Sequence, residues 1–208
     1  LRIPVSARVP VRYLGMRFVP YNGRAVVPAW LREPLERPRV CLTLGTSATD
    51  RFGGYTLSVG AVVEALADVD AEVVATVPAG QRQGLESLPS NVRVVDYVPL
   101  HALAAASTAT INHGGTGTVW TGLVHGLPQL VVPRPTFDEP LLGRLIQAQG
   151  AGLVVATDPD AVRRAALRVL EEPGLALNAA RLREEMLTQP APAAMVARLE
   201  RLAADHTR

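Results

Sequence analysis

The feature that most constrains this chain is a rhythm that begins at Val40. Short apolar runs, each closed by Gly, Pro or a polar turn, alternate with segments of helical spacing. Val40–Leu44 ends at Gly45, Val73–Val77 ends at Pro78-Ala79-Gly80, and Val92–Val95 follows. Thr108–Ile111 runs into His113-Gly114-Gly115, and Leu130–Val132 and Leu153–Val155 complete the set. The spacing predicts helices over 55–67, 100–106, 116–125 and 141–149, then over 160–171, 175–187 and 193–204. The runs are continuously apolar rather than alternating, as strands covered on both faces are. Strands interleaved with helices predict an α/β domain, a Rossmann-like parallel sheet with helices on both faces. Such sheets bind ligands beyond the C-terminal ends of their strands, near the point where the strand order reverses.

The first residues do not share this rhythm. Residues 9–28 (VPVRYLGMRFVPYNGRAVVP) read as two β segments around Tyr21-Asn22-Gly23. Arg32–Arg39 (REPLERPR) is charged and carries two prolines, as a linker does. With no Met at position 1, the expectation is a piece of a longer polypeptide. Residues 1–38 are then the end of an absent N-terminal domain plus a connector, and residues 39–208 form the α/β domain.

Composition removes several functions. The 21 basic residues against 19 acidic give a net charge of +2, and all 21 are arginine. Without lysine there is no Walker A phosphate loop and no Schiff-base lysine. So balanced a charge argues against nucleic acid or an anionic membrane as partner. One cysteine, Cys41, excludes an intramolecular disulfide and a cysteine-rich zinc site. No apolar run approaches the roughly 20 residues of a membrane span, and Arg2, Arg8 and Arg12 among prolines do not make a signal peptide. A cytoplasmic protein is expected.

Residues 111–118, Ile-Asn-His-Gly-Gly-Thr-Gly-Thr, carry the strongest signal. A strand ends, glycines turn the chain, and a helix begins. Gly114, Gly115 and Gly117 allow close backbone approach, and the amides and dipole of a helix N-terminus suit an anion. Thr116 and Thr118 add hydroxyls, and His113 adds a donor able to carry charge. This is a phosphate cradle that needs neither Lys nor metal. The alternative is a tight strand–helix turn in which His113 caps the helix. The dinucleotide pattern G-x-G-x-x-G fails, because from Gly115 its last place is Trp120.

Other features are weaker. Gly45-Thr46-Ser47-Ala48-Thr49-Asp50 also follows a strand, and reads as a ligand loop or as an ordinary helix cap. Asp138 and Glu139 follow another strand, and are either acceptors for sugar hydroxyls or charges favoured at a helix N-terminus. Asp68-Val69-Asp70 and Asp158-Pro159-Asp160 are better read as turn and cap residues than as metal ligands. His101, His125 and His206 lack ligand spacing, Ser47 lacks a nucleophile elbow, and Trp30 and Trp120 read as packing residues.

The run from Val92 to Ala148, with Arg17–Gly23, Val40–Ser47 and the tail from Leu182 to His206, resembles the C-terminal half of a GT-B glycosyltransferase. More narrowly it is similar to actinobacterial enzymes that move deoxysugars from nucleotide donors onto macrolides and related polyketides. The resemblance implies a metal-independent, inverting transferase whose donor is a nucleotide-diphosphate sugar, TDP-linked, with no other cofactor. It implies that His113 and Gly114–Thr118 hold the pyrophosphate, and that Thr46 and Ser47 line the same cleft. The backbone at Val98, in Tyr97-Val98-Pro99, reads the nucleobase, and Asp138 and Glu139 face the sugar. Glu139 stands where many relatives have Gln. The general base and acceptor pocket are implied in the N-terminal half, so no catalytic base is expected here and the isolated piece is expected to be inactive. Helix 193–204 would cross back onto that half, and some relatives use a cytochrome-like auxiliary partner. A non-catalytic nucleotide-binding module and a nucleotide-sugar epimerase half are the alternatives.

Overall fold

The computed structural model describes residues 13–23, 26–45, 58–82, 85–135 and 137–206. Six strands form one parallel sheet: β1 (Arg39–Thr43), β2 (Glu72–Thr76), β3 (Val92–Val95), β4 (Ala109–Asn112), β5 (Gln129–Val131) and β6 (Gly152–Val154). Their order in space is β3-β2-β1-β4-β5-β6. The chain therefore builds outward from β1 in one direction, then returns to β4 on the other side of β1. The order reverses between β1 and β4, where the two strands pair from Val40 against Ala109 to Thr43 against Asn112.

Seven α-helices accompany the sheet among the described residues: α1 (Val59–Ala65), α2 (Leu100–Ala105), α3 (Thr116–Val124), α4 (Glu139–Ala148), α5 (Pro159–Glu171), α6 (Pro173–Leu187) and α7 (Pro192–His206). Alternate strand residues point to opposite faces. Val40, Leu42, Val73, Ala75, Ile111 and Leu130 pack with Val62 and Val63 of α1 and Val162 and Val169 of α5. On the other face Cys41 and Val74 meet Leu103 of α2, while α3, α4 and α6 pack through Val119, Leu123, Leu142, Ile146, Ala179 and Leu182. Each such aliphatic side chain stabilises the fold by about 1.5–3 kcal/mol when fully buried. Two helices start on side-chain caps that satisfy otherwise orphaned amides. Ser58 accepts from the Ala61 amide at 3.3 Å, and Asp158 accepts from the Ala161 amide at 2.8 Å. The Asp158-Pro159-Asp160 triplet is thus a helix start.

The early segment departs from expectation. Residues 13–23 and 26–28 form no strand; residues 9–12, 24 and 25 lie outside the described residues. Both edges of the sheet are left to β3 and β6, so this segment's fixed points lie on helices and loops. The Arg17 amide donates to the Pro190 carbonyl at 2.9 Å, and Phe18 lies against Trp120 with ring centroids 6.4 Å apart. The connector is pinned at the opposite end of the sheet. Trp30 sits beneath the guanidinium groups of Arg39 and Arg93, at 5.4 and 4.7 Å from its ring centre. Both arginines pair with Glu72, at 2.7 and 3.4 Å.

Candidate functional site

The site grows from the gap between β1 and β4. Each strand leaves the sheet through a glycine in the left-handed region, Gly45 at φ 72° and Gly114 at φ 89°. Between β4 and its turn stands Asn112, which is fully buried. Its Oδ1 accepts from the Gly114 amide at 2.8 Å, while its Nδ2 donates to Thr110 Oγ1 at 3.1 Å and Gln129 Oε1 at 3.0 Å. Gln129 in turn donates through Nε2 to the Val119 carbonyl at 2.9 Å. A buried polar network thus fixes the turn and the start of α3 against β4 and β5. Leaving any member unpaired would cost about 1–3 kcal/mol.

His113 lies in a slot made by two glycines. A Cβ on Gly45 would stand 2.7 Å from its Cε1, and one on Gly115 would stand 2.3 Å from its Nε2. Neither position has room for a side chain while the imidazole is in place. Burial holds the ring below its ordinary pKa of 6.5, and the Arg134 charge acts in the same direction. Glu139, the Thr43 backbone and Asp138 oppose this without reversing it. The ring is therefore neutral at pH 7. Among the described residues its Nδ1 is buried without a partner at hydrogen-bonding geometry, although Thr43 lies close enough to favour the protonated form.

Helix α3 begins immediately behind this ring. Its N-cap is Gly115, which has no side chain to cap the first-turn amides. A Cβ at Gly117 would meet nothing within 4 Å, so this glycine faces open space. Gly114 differs: its amide is taken by Asn112, and a Cβ there would come 2.9 Å from the Glu139 carbonyl oxygen. Two of the three glycines expected to approach a ligand are thus required by the protein's own packing.

The two acidic residues separate in role. Asp138 accepts a hydrogen bond from the Thr116 hydroxyl and so sits at the head of α3. Glu139 is only 3% exposed. Its Oε2 accepts from the Arg134 backbone amide at 3.0 Å and from Nε at 3.2 Å, and its Oε1 accepts from Nη2. The Glu139 carboxylate, expected to face a sugar, is engaged by a buried guanidinium, which would otherwise be an uncompensated charge. The Val98 side chain also points inward, into the cluster of Leu31, Cys41, Val74 and Leu103. Of Val98 only the backbone is left for recognition. Thr46 and Ser47 lie outside the described residues.

A cleft of about 340 Å3 is lined by Gly45, His113, Gly115, Thr116, Gly117 and Thr118, but not by Gly114, Val98, Asp138 or Glu139. Its other wall comes from Phe18, Tyr21, Asn22 and Leu100, which inspection of motifs did not assign to the site. The sequence signs of that wall are the punctuation at Tyr21-Asn22-Gly23 and the family resemblance of Arg17–Gly23. Asn112 and Gln129 were also missed, although a polar residue interrupting an apolar strand run is a legible signal. A larger cleft of about 550 Å3 lies at the opposite end of the sheet, around Trp30, Arg39, Glu72 and Arg93. Arg39, Arg93 and Glu72 there already pair with one another, and it is at the wrong end of the strands for an α/β binding site. Among the described residues no group of three or more His, Cys, Asp or Glu is placed to hold a metal ion. No helix among them is long and apolar enough to cross a membrane.

Comparison with known proteins decides the family. The model for the C-terminal domain of erythromycin biosynthesis protein CIII-like proteins matches residues 60–202, and that for the N-terminal domain matches residues 3–45. The chain belongs to the erythromycin biosynthesis protein CIII-like family. This CIII-like chain is 48% identical over 198 residues to 10-deoxymethynolide desosaminyltransferase of Streptomyces venezuelae, covering 94% of the chain and 46% of that protein. It is 46% identical over 213 residues to aclacinomycin-T 2-deoxy-L-fucose transferase of Streptomyces galilaeus, covering 99% and 48%. The chain thus spans about half the length of the curated relatives it matches. Among solved structures, glycosyltransferase VinC in complex with dTDP superposes with a TM-score of 0.83 at 40% identity, covering 92% of this chain and 48% of that one. The spinosyn rhamnosyltransferase SpnG complexed with thymidine diphosphate gives 0.83 at 31% identity, covering 94% and 53%. The six-stranded parallel sheet of this CIII-like chain is that of GT-B glycosyltransferases.

Proposed function

We propose that this chain is the donor-binding half of a glycosyltransferase that moves a deoxysugar from thymidine diphosphate onto a polyketide-type aglycone. The single observation that carries the reading is the uncapped head of α3, with His113 held in its glycine slot, facing a cleft in a fold whose solved relatives include thymidine diphosphate complexes. Residues 39–208 are the donor domain. Residues 1–38 are the end of the other domain and its connector, and α7 crosses back toward that domain.

In this reading the amides at the head of α3, the Thr116 and Thr118 hydroxyls and His113 hold the diphosphate, with Thr46 and Ser47 on the same cleft. The Val98 backbone reads the nucleobase. Asp138, oriented by Thr116, faces the sugar, while Glu139 holds Arg134 and the turn behind it. Transfer with inversion separates the diphosphate from an oxocarbenium-like sugar. Donors aimed at the charge growing on the leaving phosphate stabilise that transition state. His113, neutral before binding, is shifted toward its protonated, charged form when an anion arrives beside it. These groups do the work a divalent cation does elsewhere. The acceptor hydroxyl needs a general base across the cleft, which belongs to the other half of the enzyme. The isolated chain therefore binds donor without transferring sugar.

The test is calorimetric titration of the chain with thymidine diphosphate in EDTA, beside His113→Ala. The expected result is saturable binding, weakened in the variant by about 1–3 kcal/mol, the worth of a hydrogen bond to a charged group. Equal affinity of the two proteins would remove His113 from the site, and absence of binding would overturn the donor reading.

A further inference from the structure

The cleft has two unlike walls. One is the polar head of α3 with His113; the other is aromatic and apolar, made by Phe18, Tyr21 and Leu100. Tyr21 is 83% exposed at its rim, yet the chain on both sides of it is held firmly. Asn22 Oδ1 accepts from the His101 amide at 2.9 Å, at the start of α2, and stands 2.7 Å from His101 Nδ1. The Asn22 carbonyl accepts from the Tyr97 hydroxyl, which joins this segment to Tyr97-Val98-Pro99. Phe18, on the near side, lies tilted against Trp120 of α3. A large aromatic ring thus stands exposed on a braced backbone, at the rim of a cleft whose far wall suits an anion. A ligand with a flat ring at one end and phosphates at the other satisfies both walls.

We propose that Tyr21 is a donor-binding residue, its ring packing against the nucleobase of the bound nucleotide from a backbone braced at Asn22. The proposal rests on the donor reading above and adds to it a wall supplied from before the sheet. Flat-ring stacking tolerates any aromatic partner, so ring and hydroxyl can be told apart.

The 208-residue chain is titrated with thymidine diphosphate alongside Tyr21→Ala and Tyr21→Phe, with thermal midpoints recorded for all three. Loss of the ring is expected to weaken binding about tenfold, within the usual range for base–aromatic stacking. Tyr21→Phe is expected to bind as the unmodified chain does, and the midpoints are expected to coincide because the side chain is exposed. Unchanged affinity in Tyr21→Ala, or a Tyr21→Phe loss as large as that of alanine, overturns the proposal while leaving the donor reading standing. Failure of the unmodified chain to bind thymidine diphosphate overturns both.

Discussion

Gly115→Ala tests the slot that holds His113, independently of any ligand. The added Cβ would lie 2.3 Å from Nε2, 2.8 Å from Cε1 and 3.3 Å from Cδ2 of the imidazole. Ordinary carbon contacts begin near roughly 3.5 Å, so the ring must retreat by about 1 Å. Swinging toward β1 brings it against the Gly45 backbone, because the ring already fills the space that a Cβ there would take. The ring must therefore leave its rotamer or push the turn apart, and overpacking of this kind costs about 1–3 kcal/mol. Backbone conformation adds little, since Gly115 has φ −63° and ψ 137°, open to alanine. Alanine is a poorer N-cap than glycine, by no more than about 1 kcal/mol. The decisive comparison is a double-mutant cycle by urea denaturation. With His113→Ala already made, the clash is gone, and Gly115→Ala should cost only the capping difference. If Gly115→Ala costs the same in both backgrounds, the ring does not occupy the slot and the account of the turn is wrong.

Two further outcomes follow from the same geometry. Burial lowers the pKa of both His113 and His125 from 6.5, so between the folded value and 6.5 the unfolded chain binds more protons than the folded one. Stability is therefore full above about pH 6.5 and falls as pH drops through that window; urea midpoints from pH 7.5 to 5 should show it, and a His113→Asn/His125→Asn variant should have a shallower slope. An equally steep slope in that variant would refute the assignment. Gln129→Met keeps volume but removes the side-chain donor to the Val119 carbonyl and one partner of Asn112. A loss of about 1–3 kcal/mol is expected, and a neutral result in denaturation would show that the network does not brace the turn.

Much of the architecture is local information. Val40–Leu44 and Val73–Val77 are apolar on both faces, and the turn after each is written in glycine or proline, so strand positions and the parallel class could be read directly. The glycine turn at 113–117 could be read too, because its residue types are those a close backbone approach requires. Residues 13–23 and 26–28 misled, since their apolar alternation is the pattern of a strand, and nothing local says that the segment docks at Pro190 and Trp120 instead of pairing with a sheet edge. The fate of Glu139 was equally hidden. Its charge fits a helix start in any sequence, and only the position of Arg134 across the turn shows that the carboxylate is engaged.

What the sequence determined by itself was the set of elements, their order along the chain and the kind of turn at each strand end, because propensity, burial period and capping act over a few residues. Only the tertiary structure decided that β4 pairs with β1 rather than with β3. Strand pairing is settled by burying both sheet faces of the whole domain at once, and no stretch of chain carries that balance. From this one choice came the rest of the site: Gly45 beside His113, the strap of Phe18, Tyr21 and Asn22 opposite the head of α3, and a cleft between residues far apart in the chain.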